Sequence, residues 1–218
     1  MKTNLTELVF ILDRSGSMSG LESDTIGGYN ALLKKQKEEP GEATITTVLF
    51  DDKYELLHDR INVKCICPIT EKEYFVCGCT ALLDAIGKTI NKTLNIQRNT
   101  NEQERADKVM FVITTDGMEN ASKEYNYEKI KKMVERQKEK YGWEFIFIGA
   151  NIDAISTAAK FGISANRAAN YNADGEGTRL NYEAVSHVAS EFRASRPITE
   201  SWKAEIDDDF TRRSKKSR

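Results

Sequence analysis

The amino-acid sequence predicts an α/β fold in which a doubly wound, mostly parallel sheet carries helices on both faces. Continuous apolar runs such as residues 8–12 and 109–113 are typical of strands that are buried on both faces. Segments with apolar residues at helical spacing alternate with these runs, and this alternation favours parallel strands joined by crossover helices. The 218 residues are enough for one such domain with a sizeable core.

The first half of the chain contains the expected elements in order. The first strand, residues 8–12, is followed by an amphipathic helix over residues 21–39, which Pro40 and Gly41 end. Residues 43–50 alternate and are rich in β-branched side chains, as strands are. After a turn, residues 54–58 are expected to return antiparallel as an edge strand.

The second half continues the pattern after a long connection with no clear period. Apolar spacing predicts helices over residues 81–96, 127–136, 155–161 and 180–195, and strands over residues 109–115, 143–148 and, more weakly signalled, 167–171. We divide the chain into one domain, residues 1–195, and a charged, flexible C-terminal tail, residues 196–218.

Polar residues lie in three loops, where a doubly wound sheet gathers its ligand groups. Asp13, Ser15 and Ser17 come directly after the first strand, Thr80 precedes a helix, and Asp116 ends the strand over residues 109–115. Each piece alone is typical of a capped helix or a tight turn. Together their oxygens predict a site for a hard divalent cation, Mg2+ or alternatively Mn2+.

The set D-x-S-G-S-M, G-x-T-x-L-x-x-A and T-D-G resembles a von Willebrand factor type A (VWA) domain with an intact metal-ion-dependent adhesion site (MIDAS). The resemblance covers roughly residues 5–195. It implies six strands in the order 3-2-1-4-5-6 with a short antiparallel third strand. It also implies direct metal contacts from Ser15 and Ser17, direct or water-mediated ones from Thr80 and Asp116, and mostly water-mediated ones from Asp13.

The resemblance further implies a non-enzymatic module for protein–protein interaction, of the kind found in cytoplasmic bacterial or phage chains. Five protein positions leave at least one place on a six-coordinate Mg2+ for an outside ligand. An Asp or Glu of a partner protein fits that position, so we expect a scaffold or adaptor that captures acidic residues.

An enzymatic alternative is a Mg2+-dependent phosphatase of the haloacid dehalogenase type with Asp13 as nucleophile. Such enzymes place a second Asp two residues later, where this chain has Ser15. No serine–histidine–aspartate set, Walker loop or dinucleotide-binding glycine motif is present in the sequence. We therefore expect no catalysis.

Asp84 lies four residues after Thr80, on the same face of the predicted helix. Two interpretations are equally open. One is an outer acceptor that orients a loop or a bound water beside the metal. The other is an acidic residue that favours the first turns of a helix.

Four cysteines form two close pairs in the long connection, Cys65 with Cys67 and Cys77 with Cys79. Four thiolates are able to hold zinc, but the usual structural spacing is C-x2-C and no histidine supports the cluster. The favoured interpretation is four reduced thiols, several of them buried.

Composition excludes several classes of partner. The net charge is −2 with 30% charged residues, so no overall basic field attracts nucleic acid. The basic C-terminal tail is the only feature of the sequence that suggests a nucleic-acid partner. No stretch is long and apolar enough for a membrane span, and the start of the chain does not resemble a secretory signal. We expect a cytoplasmic location.

Overall fold

A six-stranded sheet with the order β3-β2-β1-β4-β5-β6 forms the centre of the computed structural model, which describes residues 4–216. The pairings β1–β2, β1–β4, β4–β5 and β5–β6 are parallel, and β3 pairs antiparallel with β2. The strands are β1 (Thr6–Asp13), β2 (Ala43–Phe50), β3 (Tyr54–Asn62), β4 (Lys108–Thr115), β5 (Glu144–Gly149) and β6 (Ala168–Asn170). The predicted fold class and strand order are confirmed, but the antiparallel edge strand β3 has 9 residues and is not short as expected.

Helices cover both faces of this sheet. They are α1 (Glu22–Glu38), α2 (Leu82–Asn99), α3 (Tyr127–Tyr141), α4 (Ala154–Lys160), α5 (Gly175–Arg193) and α6 (Ala204–Lys216). One core lies between the sheet and α1, α5 and α6, and a second lies between the sheet and α2, α3 and α4. Among residues 4–216, no helix combines the length and the apolarity that crossing a bilayer requires.

The central strand β1 shows why its sequence is apolar without interruption. Leu8, Phe10 and Leu12 point into the first core, whereas Val9 and Ile11 point into the second. Because successive side chains of a strand face opposite sides, a strand covered on both sides needs apolar residues at every position.

The register of the sheet brings the polar loops to one edge. Asp13 pairs with Phe50 of β2, and Leu12 pairs with Thr114 of β4. The loops that follow β1 and β4 therefore leave the sheet side by side, at the carboxyl ends of neighbouring parallel strands.

Local capping fixes helix ends that periodicity placed less well. The Asp174 side chain accepts a hydrogen bond from the Gly177 backbone, so α5 begins at Gly175, before the predicted start at residue 180. Asn126 caps α3 in the same way through the Lys129 backbone, and Gly142 ends α3 in the left-handed conformation at φ 64°.

The C-terminal segment differs from the predicted flexible tail of residues 196–218. Residues 200–203 form a 3-10 turn and α6 follows, with Trp202 and Ile206 buried in the first core and Asp209 buried beside them. Their spacing of four and three residues places them on one helical face. Ser217 and Arg218 lie outside the described residues, and the domain boundary at residue 195 stays a prediction.

Candidate metal centre

The loop after β1 is held by hydrogen bonds to the Asp13 carboxylate. Its Oδ1 accepts the Ser15 backbone N–H at 2.7 Å, and its Oδ2 accepts the Thr115 hydroxyl at 2.5 Å. The Tyr74 hydroxyl donates to the Asp13 backbone carbonyl at 2.5 Å. Asp13 is only 1% exposed, so both of its oxygens are directed by these contacts and not by solvent.

Three hydroxyls from two loops lie in contact beside this carboxylate. The Ser15 and Ser17 Oγ atoms are 3.1 Å apart, and the Thr80 hydroxyl donates to Ser15 Oγ at 3.0 Å. Ser15 and Thr80 are buried, whereas Ser17 is exposed. The hydroxyl cluster is therefore open to solvent on the Ser17 side.

Asp116 completes the set from the loop after β4. It is 1% exposed, and neither carboxylate oxygen accepts a hydrogen bond of good geometry among the described residues, although the Ser17 hydroxyl lies near enough to lower the pKa of this carboxyl. The next residue, Gly117, approaches the hydroxyls so closely that a Cβ there would lie 2.8 Å from Ser17 Oγ and 3.1 Å from Thr80 Oγ1. The structure thus brings the five predicted residues to one place.

Burial makes the ionised forms of Asp13 and Asp116 electrostatically unfavourable. Burial raises the pKa of Asp13 to about 6; hydrogen bonds from Ser15 and Thr115 oppose the shift and the neighbouring Asp116 adds to it. Burial also raises the pKa of Asp116, and the Ser17 hydroxyl opposes this shift. A divalent cation would remove this cost, because it supplies positive charge and coordinates the oxygens that lack partners.

Asp84 orients a loop. Its carboxylate accepts three backbone N–H groups from residues 123–125 at 2.9 to 3.0 Å. These residues follow Asp116 in the chain, so Asp84 fixes the continuation of the Asp116 loop. The three N–H donors occupy both of its oxygens.

The four cysteines are all free and exposed, so the expectation that several are buried is wrong. In their connection it is Ile66, Ile69 and Tyr74 that face the core, and this leaves the thiols on the outer side. Among residues 4–216, no three His, Cys, Asp or Glu side chains are grouped to hold one ion, so the zinc cluster of Cys65, Cys67, Cys77 and Cys79 is not assembled.

Sequence reasoning missed several residues that support the site. Thr115 and Tyr74 hold Asp13, and Asn120 contacts the Thr80 backbone. Asn120 lies four residues after Asp116, and this proximity was the only feature of the sequence that could have linked it to the site. Arg14 is 4% exposed, and its side chain pairs with Asp51 and Glu55.

No protein-family model and no curated protein matches the chain. Solved structures do match it. A structure of proximal thread matrix protein 1 from the mussel byssus, with a zinc-occupied MIDAS motif, is 14% identical over 85% of this chain, with a TM-score of 0.58. The manganese-loaded TRAP protein of Plasmodium vivax is 17% identical over 83%, with a TM-score of 0.58. A von Willebrand factor type A protein from Catenulispora acidiphila is 12% identical over 83%, with a TM-score of 0.58.

The matches extend over most of this chain but over less of the other proteins. The chain spans 46% of the mussel protein, 73% of the Plasmodium protein and 41% of the Catenulispora protein. Identities of 12% to 17% establish a shared fold. Together with the observed strand order, they show that the chain has the fold of a von Willebrand factor type A domain.

Proposed function

We propose that this chain is a protein-interaction module that binds a divalent cation at Asp13, Ser15, Ser17, Thr80 and Asp116 and uses it to capture an acidic residue of a partner protein. The observation that carries the proposal is the Asp116 carboxylate, which is buried beside three contiguous hydroxyls and accepts no hydrogen bond of good geometry among the described residues. Buried polar groups are nearly always satisfied, so an unsatisfied carboxylate at this position indicates a missing ligand of positive charge.

The donor set fits Mg2+ or Mn2+. All five side chains offer hard oxygen, which these ions prefer, and two carboxylates balance the charge of one divalent cation. The zinc-occupied MIDAS motif of the mussel structure and the manganese of the Plasmodium structure support a divalent cation as the ligand. We favour magnesium or manganese over zinc because the site contains neither sulfur nor imidazole.

The proposed role of each residue follows from its hydrogen bonds and its exposure. Ser15, Ser17, Thr80 and Asp116 would hold the ion, whereas Asp13, whose two oxygens already accept hydrogen bonds, contributes charge and fixes the loop. When bound, the cation supplies an electrophilic position for an outside carboxylate oxygen. Ser17 is exposed, and this gives a partner side chain access to the cluster.

The contacts of Asp13 argue against the phosphatase alternative. A nucleophilic carboxylate must be reached by its substrate, but Asp13 is 1% exposed and each of its oxygens already accepts a hydrogen bond that holds it in place. The neighbouring cation, Arg14, is engaged by Asp51 and Glu55. We therefore propose a binding module without catalysis.

A cytoplasmic location accords with four free, exposed thiols, which persist in a reducing compartment.

The test combines metal binding with peptide capture. Mn2+ binding to the purified protein is followed by electron paramagnetic resonance, and a random peptide library displayed on phage is captured in Mg2+ and eluted with EDTA. We expect enrichment of peptides containing Asp or Glu. Ser17→Ala should weaken Mn2+ binding roughly tenfold or more, whereas the matched control Ser19→Ala, two residues on, should leave it unchanged.

Two results would contradict the proposal. One is a wild-type protein that binds no Mn2+, and the other is peptide capture that EDTA does not release. Hydrolysis of p-nitrophenyl phosphate in Mg2+ that disappears in Asp13→Asn would establish the enzymatic alternative in its place.

A further inference from the structure

The Thr80 backbone exchanges two hydrogen bonds with one residue of the Asp116 loop. The Thr80 N–H donates to Asn120 Oδ1 at 2.9 Å, and the Asn120 N–H donates to the Thr80 carbonyl at 3.0 Å. The Ala121 N–H donates to the same carbonyl at 3.2 Å. Thr80 is therefore held on both sides of its Cα by residues that follow Asp116 in the chain.

Helix α2 obtains its N-terminal caps from the same loop. Its own N-cap residue, Ala81, has no side chain able to cap. The Leu83 N–H donates to the Glu119 carboxylate at 2.8 Å, and the Asp84 N–H donates to Ser122 Oγ at 3.0 Å. Two N–H groups that the first turn of a helix leaves open are thus satisfied from residues 119–122.

The Glu119 carboxylate also stabilises its own loop through hydrogen bonds to residues 121 and 122. Its Oε1 accepts the Ala121 and Ser122 N–H groups at 3.0 and 2.8 Å, and its Oε2 accepts the Ser122 hydroxyl at 2.8 Å. In the opposite direction, the Asp84 carboxylate holds residues 123–125. The start of α2 and residues 119–125 are therefore joined by hydrogen bonds in both directions.

We propose that Asn120 is a positioning residue of the metal centre, which fixes the Thr80 hydroxyl relative to Ser15 and Asp116 before the cation arrives. This inference rests on the proposed function. A ligand group that is already held in place loses less conformational freedom on binding, so the hydrogen bonds of Asn120 act on metal affinity without touching the metal.

The test separates positioning from general stability. Asn120→Ala removes the side-chain acceptor, and Asn120→Asp keeps it. Asn120 is exposed, so both variants are expected to fold. The matched control is Asn126→Ala, which removes the hydrogen bond of 2.9 Å from the Lys129 N–H at the start of α3. Mn2+ affinity, unfolding free energy in EDTA, and hydrogen exchange of the Thr80 amide in EDTA are measured for each.

We expect Asn120→Ala to weaken Mn2+ binding about tenfold and to speed exchange of the Thr80 amide. Asn120→Asp should restore both, and Asn126→Ala should lower stability with Mn2+ affinity unchanged. Wild-type affinity in Asn120→Ala, or an equal loss in Asn126→Ala, would overturn the inference while leaving the metal site in place. A wild-type protein that binds no Mn2+ would overturn the proposed function and this inference with it.

Discussion

Two buried carboxylates lie at opposite ends of the two central strands and differ in their partners. Glu7, near the start of β1, is fully buried and accepts hydrogen bonds from Gln97 Nε2 at 2.8 Å and the Thr46 hydroxyl at 3.4 Å; Arg60 Nε lies 3.5 Å from it. Asp116, just after β4, is 1% exposed, and neither of its oxygens accepts a hydrogen bond of good geometry among the described residues.

Burial raises the pKa of both groups, so burial alone does not distinguish them. The difference lies in what balances the charge. The chain supplies donors and a cation for Glu7, which makes Glu7 a structural residue at the end of the sheet away from the metal loops. For Asp116 it supplies only the nearby Ser17 hydroxyl and no cation, and the missing positive charge is what identifies a ligand site.

The largest expected effect is at Asp116. Asp116→Asn keeps the shape of the side chain and removes its charge. We expect Mn2+ affinity to fall roughly a thousandfold, or about 4 kcal/mol. In EDTA the same variant should be more stable than the wild type by on the order of 1 kcal/mol, because an uncompensated buried charge is gone. Denaturant unfolding with and without Mn2+ measures both changes. Lower stability of Asp116→Asn in EDTA would show that the carboxylate has a partner within the chain.

Glu7 should behave in the opposite way. Glu7→Ala leaves the Arg60 guanidinium and the Gln97 amide without their acceptor, and we expect a loss of about 3–4 kcal/mol of unfolding free energy. Mn2+ affinity should not change. Glu7→Gln, which keeps an acceptor oxygen, should cost only about 1 kcal/mol. If Glu7→Ala unfolded at the wild-type denaturant concentration, the contrast between the two carboxylates would not hold.

Sequence reasoning found Asp116 and missed Glu7 for a physical reason. Asp116 belongs to a short motif at the end of an apolar run, and such a position is visible locally. Glu7 precedes the apolar run of residues 8–12, so nothing local showed that β1 begins at Thr6 and buries it. Its partners Gln97 and Arg60 are distant in sequence.

The same difference between local signals and contacts distant in sequence separates the other residues that were predicted from those that were missed. Periodicity predicted the alternation of strands and helices, whereas the strand order was what the resemblance to VWA domains implied. Ser15, Ser17 and Thr80 were found because each belongs to a short local motif. The contacts of Tyr74 and Asn120 were missed, because each depends on a loop reaching a residue that is remote in sequence.

The smallest expected effect concerns Asp13 and its pH dependence in EDTA. Burial raises the pKa of Asp13 from 3.8 to about 6 in the folded protein. Its contribution to stability is therefore fully present below pH 3.8 and is lost as the pH rises through about 6. We expect the wild type to lose up to about 3 kcal/mol relative to Asp13→Asn over this range. Denaturant unfolding of both proteins in EDTA between pH 4 and about 7 measures the difference.

Mn2+ should reverse this dependence. A cation competes with protons for carboxylates, so Mn2+ affinity should fall as the pH drops below about 6. The stability that the cation confers then grows over the same range in which the ionised Asp13 destabilises the metal-free protein. Ser19→Ala, which keeps every carboxylate, should follow the wild-type curves in both conditions. Parallel curves for wild type and Asp13→Asn in EDTA would mean that Asp13 is ionised throughout, and the charge at this edge would then be balanced without a metal.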